Sequence, residues 1–144
     1  MARYEGSVTI NAPVEKVFGY IMDPASHAEW MPSLMEVKDV NMTEQRVGSH
    51  WRWAWKMVGL RFEGETTITE YIPNERLVWQ STGAILSTWV YTFEPEDGGT
   101  KVNVVVEYTV PIPVLGKVAE AFVLSQVERE ADFGVANLKA RMEG

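Results

Sequence analysis

Three tryptophans alternate with polar residues in the part of the sequence that offers the most chemistry. Trp51, Trp53 and Trp55 share one parity, and the residues between and beside them include Arg52 and Lys56. Side chains alternate between the faces of a strand, and a charge costs less free energy facing water than facing a core. The pattern therefore predicts a strand whose three indoles face the interior. Indoles offer broad apolar surfaces with a single N–H donor, which suits the binding of a flat, apolar molecule.

The same predicted face carries further aromatic residues on neighbouring strands, interspersed with small or hydroxyl-bearing residues. Gly64, Thr66, Ser81 and Ser87 would leave space on this face rather than fill it. Ligand pockets are mostly apolar with a few placed polar groups, so the pattern favours a cavity over the alternative, a core filled by its own tryptophans. The predicted ligand-binding wall comprises Trp53, Trp55, Phe62, Thr66, Trp79, Trp89, Tyr91, Tyr108, Phe122, Gln126 and Glu130.

Acid–base chemistry has two weak candidates, Glu130 and Tyr91. Glu130 falls on the predicted inner face of the last helix, where burial beside aromatic rings would raise the pKa of its carboxyl group. The alternative is that Glu130 reaches solvent at the mouth of the cavity. The sequence contains no glycine-rich phosphate loop and no Gly-x-Ser-x-Gly elbow, which argues against nucleotide and serine-nucleophile chemistry.

The two histidines, His27 and His50, lack the spacing and the neighbouring carboxylates of a metal site. We therefore expect both side chains at the surface, and we expect neither a metal nor another cofactor. Asp23, which stands before Pro24, is expected to end a helix rather than to act as an acid.

Composition and charge exclude several classes of function. The 144 residues include 13 Lys+Arg and 20 Asp+Glu, a formal net charge of −7, so the basic face that nucleic-acid binding requires is missing. Without cysteine there is no disulfide and no thiol nucleophile. No apolar run approaches the roughly 20 residues of a membrane span, and residues 1–6 do not resemble a signal peptide. We expect a cytoplasmic protein without stable membrane insertion.

Hydrophobic periodicity predicts one domain over residues 1–144, in the order strand, two short helices, six strands and one long helix. The first strand is expected over 3–10 and the short helices over 13–21 and 25–32. Poorly phased strand segments follow at 35–37 and 40–42. Five further strands are expected over 47–56, 60–72, 75–82, 84–94 and 100–110, joined by short turns that make them antiparallel neighbours.

The first of these hairpins, turning at Val58-Gly59, would place Trp55 opposite Phe62. Arg52 would then lie opposite Glu65 or, in a shifted register, Glu63 on the outer face. After Pro111 and Pro113, a helix of about 28 residues and roughly 42 Å is expected to cross the apolar face of the sheet. Its predicted inner stripe includes Phe122, Val127, Ala131 and Phe133, and Gly134 is expected to mark a bend or a close approach to the sheet.

Several motifs together resemble a known superfamily. They are VTINAPVEKVF over 8–18, Asp23-Pro24 through Pro32, Val47-Gly48, PNERLVW over 73–79, GTKV over 99–102 and Asn137–Lys139. Over nearly the whole chain they resemble the START-like or helix-grip (Bet v 1-like) superfamily, specifically its bacterial branch of polyketide cyclase/dehydrase and lipid transport (SRPBCC) proteins. The resemblance implies an α+β helix-grip fold, in which a curved seven-stranded antiparallel sheet wraps around the long C-terminal helix.

The resemblance implies fold more sharply than function, because members of this superfamily bind varied apolar molecules, act as cyclases or activate a chaperone. No catalytic residue carries over from it. The first hypothesis is therefore binding or transport of a hydrophobic small molecule by a monomer or homodimer. The alternatives are a cofactor-free cyclase, dehydratase or isomerase acting on a polyketide-like substrate, and a protein-interaction module.

Overall fold

The computed structural model describes the backbone of residues 2–57, 60–83, 85–109 and 116–143, and the side chains of residues 3–56, 61–83, 85–109 and 125–143. Within these ranges the elements follow the predicted order. They are β1 (Ala2–Ile10), α1 (Val14–Met22), α2 (His27–Trp30), β2 (Leu34–Asn41), β3 (His50–Met57), β4 (Leu60–Ile72), β5 (Arg76–Gly83), β6 (Leu86–Glu96), β7 (Gly99–Thr109) and α3 (Gly116–Glu143).

The strands form one antiparallel sheet in the order β1-β7-β6-β5-β4-β3-β2, with β1 and β2 at its edges. This sheet and the long α3 confirm the predicted α+β helix-grip architecture. A short 3-10 turn, Pro24–Ser26, joins α1 to α2. Asp23 ends α1 as predicted, and its Oδ1 accepts a hydrogen bond from the Ala25 backbone N–H at 3.1 Å. None of the described helices is long and apolar enough to cross a membrane.

The tryptophan strand pairs in the predicted register. Trp55 lies opposite Phe62 and Arg52 opposite Glu65 across β3 and β4. The ion pairs that form beside this hairpin involve Arg61 instead, whose guanidinium lies 3.3 Å from a carboxylate oxygen of Glu36. Both groups are exposed, so the pair contributes little to stability.

The pairing of β2 with β3 explains why the alternation of apolar and polar residues in β2 is irregular. Its pairing with β3 shifts register twice, between Leu34 and Glu36 and between Lys38 and Asn41. Asp39, within the second shift, adopts a φ of 53°. A bulge inserts an extra residue and reverses the alternation, so no single parity describes the strand.

The inner face of α3 differs from the prediction at Phe133, which is 56% exposed. Val127, Ala131, Gly134 and Leu138, spaced by four, three and four, are among the α3 residues that face the cavity. Phe133 stands two residues after Ala131, about 200° further around the helix, so its side chain points to the opposite side. Gly134 packs against the end of α2, where an added Cβ would lie 3.5 Å from Pro32.

Polar contacts fix α3 along β1. The Tyr4 hydroxyl donates to Asp132 at 2.9 Å, and Lys139 Nζ donates to the Thr9 carbonyl at 2.7 Å. These contacts hold the helix across the sheet, so that the inner face of α3 lies opposite the inner face of the sheet.

Candidate functional site

A cavity of about 130 Å³ lies between the inner face of the sheet, α2 and α3. This is several-fold more than the ~10–15 Å³ that one buried water requires. Its lining is dominated by aromatic and aliphatic side chains, among them five tryptophans besides Trp30: Trp51, Trp53, Trp55, Trp79 and Trp89. The structure therefore contains a cavity. The alternative that the sequence left undecided was a core filled by its own tryptophans.

A row of small hydroxyl residues across the sheet makes room for this cavity. Trp51 pairs with Thr66, Thr66 with Ser81, Ser81 with Ser87 and Ser87 with Tyr108, so the five residues cross β3 to β7 in one line. The hydroxyl oxygens of Thr66 and Ser81 are buried and 2.6 Å apart. The bulky ends of the row form opposite walls, and the short side chains between them form the floor.

The next inward positions carry stacked aromatic rings. The ring centroids of Trp79 and Tyr91 are 4.9 Å apart, and those of Trp89 and Tyr91 are 6.3 Å apart in nearly parallel planes. Trp51 meets Trp79 edge to face at 5.7 Å. Such contacts hold large side chains in defined positions, which fixes the shape of this aromatic wall.

His27 corrects the expectation that both histidines lie at the surface. It is only 2% exposed, lines the cavity and packs against Trp79 with ring centroids 5.1 Å apart. Burial lowers the pKa of its imidazole to about 4, although the Ile21 carbonyl and Asp23 oppose that decrease. At neutral pH the ring is therefore uncharged. Its Nε2 carries the proton, because the Ile21 carbonyl oxygen 2.8 Å away can only accept.

His50 is half-buried, and its Nδ1 lies 3.2 Å from the Gly48 carbonyl oxygen. Nowhere in the described ranges do three or more His, Cys, Asp or Glu side chains form a group that could hold a metal ion.

Trp53 packs against a glycine on the neighbouring strand. A Cβ added at Gly64 would collide with the six-membered ring of Trp53 and with the Thr82 carbonyl oxygen. The absence of a side chain at Gly64 thus positions this indole. Trp53 is 9% exposed and packs with Phe62 in a small apolar cluster at this end of the cavity.

Several side chains that line the cavity carry buried polar atoms without partners. Within the described side chains, five buried polar atoms lack a hydrogen bond: Nε1 of Trp53 and Trp55, Oη of Tyr91 and Tyr108, and Oε2 of Glu130. All five residues line the cavity. Buried polar groups in native proteins are nearly always hydrogen-bonded, so such a concentration marks a place where a bound molecule or water completes the network.

Glu130 reaches the cavity from α3. Its Oε1 accepts a hydrogen bond of 2.5 Å from the Ser33 hydroxyl, and Ser33 has a φ of 68° in the turn after α2. Burial raises the pKa of the Glu130 carboxyl, and Ser33 together with the nearby Trp55 indole partly opposes that increase. The Trp55 indole N–H acts on the Glu130 carboxylate as a hydrogen-bond donor, but the contact is too long or too bent to satisfy either buried atom fully.

The cavity tyrosines are held in their neutral form. Burial raises the pKa of Tyr91 well above its ordinary value, and the neighbouring Tyr4 adds to this increase. Burial also raises the pKa of Tyr108, with a smaller contribution from Glu128. Both hydroxyls therefore keep their protons and can donate a hydrogen bond.

Most of the predicted wall lines the cavity: Trp53, Trp55, Thr66, Trp79, Trp89, Tyr91, Tyr108 and Glu130. Phe62 is buried behind Trp53 rather than in the lining. Gln126 is half-buried on α3 outside the lining, and the side chain of Phe122 lies outside the described residues.

The sequence prediction missed the contribution of α2. His27, Trp30 and Met31 line the cavity together with Tyr4 of β1 and Leu138 of α3. The signal was the spacing of three and four from His27 to Trp30 and Met31, bounded by Pro24 and Pro32, which is typical of one buried helix face.

Among the solved structures with this fold, three align with this chain over nearly its whole length. A protein from Thermus thermophilus matches with a TM-score of 0.84 at 19% identity, over 98% of this chain and 97% of that chain. A START superfamily protein from Mycobacterium smegmatis has a TM-score of 0.80 at 14% identity, over 97% and 96%. The Zhui aromatase/cyclase from Streptomyces sp. R1128 has a TM-score of 0.78 at 14% identity, over 98% and 93%. At these identities the similarity establishes the fold.

The sequence itself matches the family described as "Polyketide cyclase / dehydrase and lipid transport" over residues 1–143. This match spans all the elements from β1 to α3, and it confirms the resemblance that the motifs suggested. The chain belongs to the polyketide cyclase/dehydrase and lipid transport family.

Proposed function

We propose that this protein binds a small, apolar, ring-containing molecule in the cavity between the sheet and α3. The observation that carries the proposal is that five buried polar atoms lack partners among the described residues, and that all five belong to side chains lining an aromatic cavity. A core that served packing alone would satisfy or exclude such atoms, since each costs about 1–3 kcal/mol when left unpaired.

The cavity limits the ligand to a modest size. At about 130 Å³ it is comparable to the roughly 150 Å³ engineered cavity that binds benzene. A ligand with one or two rings that buries about 200 Å² would gain about 5 kcal/mol from transfer out of water. That free energy corresponds to a Kd on the order of 0.1–1 mM, before hydrogen bonds add to it.

A cavity-filling variant tests the proposal. Ala131 lines the cavity from α3, whereas Ala136 on the same helix is exposed. Ala131→Phe should abolish the binding of indane and naphthalene, measured by tryptophan emission and native mass spectrometry, because the new ring occupies their space. Ala136→Phe is the matched control and should bind as the wild type does. Equal binding by the two variants, or none by the wild type, would contradict the proposal.

A second candidate function, acid–base catalysis of a cyclase, dehydratase or isomerase kind, is favoured by Glu130. Burial raises the pKa of this carboxyl, and its Oε2 has no partner among the described groups. A carboxyl with a raised pKa can deliver a proton to a departing hydroxyl group or remove one beside a carbonyl. Glu130→Gln would then abolish turnover while ligand affinity stays within about threefold. If the variant keeps full turnover of a substrate, this role is excluded.

A further inference from the structure

Hydrogen-bond donors outnumber acceptors among the unpartnered groups of the cavity. The indole N–H groups of Trp53 and Trp55 can only donate, and the hydroxyls of Tyr91 and Tyr108 each carry a proton to donate. The Trp55 N–H acts on the Glu130 carboxylate as a donor, so these two groups partly satisfy each other. The groups that then still lack any partner are the Trp53 N–H, which can only donate, and the two tyrosine hydroxyls, which can donate or accept.

Trp53 is the donor whose position is fixed most firmly. Its indole lies over Gly64, where an added Cβ would collide with it, and the residues packed around it are apolar: Leu34, Trp55, Phe62, Ile85 and Val127. Its N–H has no hydrogen-bond partner in the part of the chain that the structure describes. A buried N–H in apolar surroundings can be satisfied by an acceptor on a bound molecule.

The charge of the lining constrains the ligand further. No Lys or Arg occurs among the described residues that line the cavity, and Glu130 is the carboxylic acid there. The buried His27 imidazole is uncharged at neutral pH. An anionic acceptor such as a carboxylate would enter without a counter-ion, which costs far more than a neutral oxygen does.

We propose, on the basis of the function proposed above, that the ligand is a neutral ring compound bearing a carbonyl oxygen, and that the Trp53 indole N–H donates to that oxygen. The tyrosine hydroxyls at the other end of the cavity supply donors for a second oxygen. The aromatic walls provide affinity, and the donors select among ligands of equal size, because rejecting an analogue that leaves a buried donor unpaired is how polar sites discriminate.

The test compares 1-indanone with indane, which has the same two rings without the oxygen. Trp53→Phe should raise the Kd of 1-indanone about fivefold more than it raises the Kd of indane. Trp89→Phe is the matched control, since the Trp89 N–H already donates to Ser87 Oγ at 3.0 Å. It removes the same ring area from the cavity wall and should change both Kd values by the same factor. Equal factors for the two ligands in Trp53→Phe would overturn the inference.

A measurement on the unmodified chain covers the case in which a variant fails to fold. With ¹⁵N-labelled tryptophan, 1-indanone should shift the Trp53 Nε1–H proton downfield more than indane does, and the Trp89 Nε1–H proton should respond equally to both. A Trp53 signal that responds equally to both ligands overturns this inference alone and leaves the proposed function standing. If neither ligand binds and naphthalene does not bind either, the proposed function and this inference fall together.

Discussion

The buried His27 makes the stability of the protein depend on pH in a direction that can be derived. Burial lowers the pKa of the folded imidazole from 6.5 to about 4. The unfolded chain therefore binds more protons than the folded chain between these two pH values, and the free energy of unfolding rises with pH across that window. The contribution is complete above pH 6.5 and is lost as the pH falls toward 4.

The magnitude follows from the difference of about 2.5 pH units between 6.5 and 4. At 1.36 kcal/mol for each unit, His27 accounts for about 3 kcal/mol of stability between the two ends of the window. That is a large share of the 5–15 kcal/mol by which folded domains are usually stable. Glu130, whose pKa is raised by burial, contributes in the opposite sense as the pH rises, so His27 must be isolated by a variant.

His27→Gln isolates it, because an amide can still donate to the Ile21 carbonyl but does not titrate. Urea unfolding of both proteins at several pH values from 4 to 7 should show a steep loss of stability in the wild type and a smaller one in the variant, the two profiles diverging by about 3 kcal/mol. Imidazole proton shifts check the same point directly, with His50→Gln to assign the signals. Parallel stability profiles, or a His27 signal that titrates near pH 6.5, would show that burial does not lower the pKa of His27.

Two further predictions concern the groups that position the cavity walls. Gly64→Ala should lower the free energy of unfolding by about 1–3 kcal/mol and disturb the Trp53 emission, because the added methyl group collides with the indole; chemical denaturation and fluorescence measure both effects. Tyr4→Phe should cost about 1 kcal/mol of stability, measured in the same way, because it removes the hydrogen bond that joins β1 to Asp132 of α3.

Each of these substitutions has a control elsewhere in the chain. Gly19→Ala in α1 adds a methyl group with nothing within 4 Å of it, so it should leave stability unchanged or raise it by up to about 1 kcal/mol. Tyr20→Phe removes an exposed hydroxyl that donates to Glu29 and should cost less than Tyr4→Phe. The packing described for these sites would be contradicted if Gly19→Ala lowered the free energy of unfolding more than Gly64→Ala does. The same holds if Tyr20→Phe lowered it more than Tyr4→Phe does.

The sequence predicts those strands in which apolar and polar residues alternate regularly. The β3 tryptophans face inward because Arg52 and Lys56 occupy the other parity, and Trp55 lies opposite Phe62 as the shortness of the link between the two predicted strands implies. β2 escapes prediction because two bulges interrupt its alternation, one of them at Asp39 with its positive φ. The alternation there depends on pairing with β3, which no local pattern encodes.

The candidate site is predictable on the sheet and less so on the helices. A strand has two faces, so composition decides which one is buried. A helix can turn any of many directions toward the core, so composition alone does not decide which of its side chains are buried. Phe133 is apolar yet exposed, because the neighbouring Gly134 takes the contact with α2. His27 is buried although histidine is usually nearer the surface. Its burial follows from the position of α2 at one end of the cavity. That position depends on tertiary packing, which the local sequence does not reveal.

The proposed function requires that an apolar molecule enter the space between the sheet and α3. The most direct measurement is a set of nuclear Overhauser contacts between bound indane and the methyl groups of the protein. Contacts to Val106 and Leu138, which line the cavity from the sheet and from α3, are the predicted result. Contacts confined to exposed methyl groups such as those of Ile72 and Leu86 would contradict it.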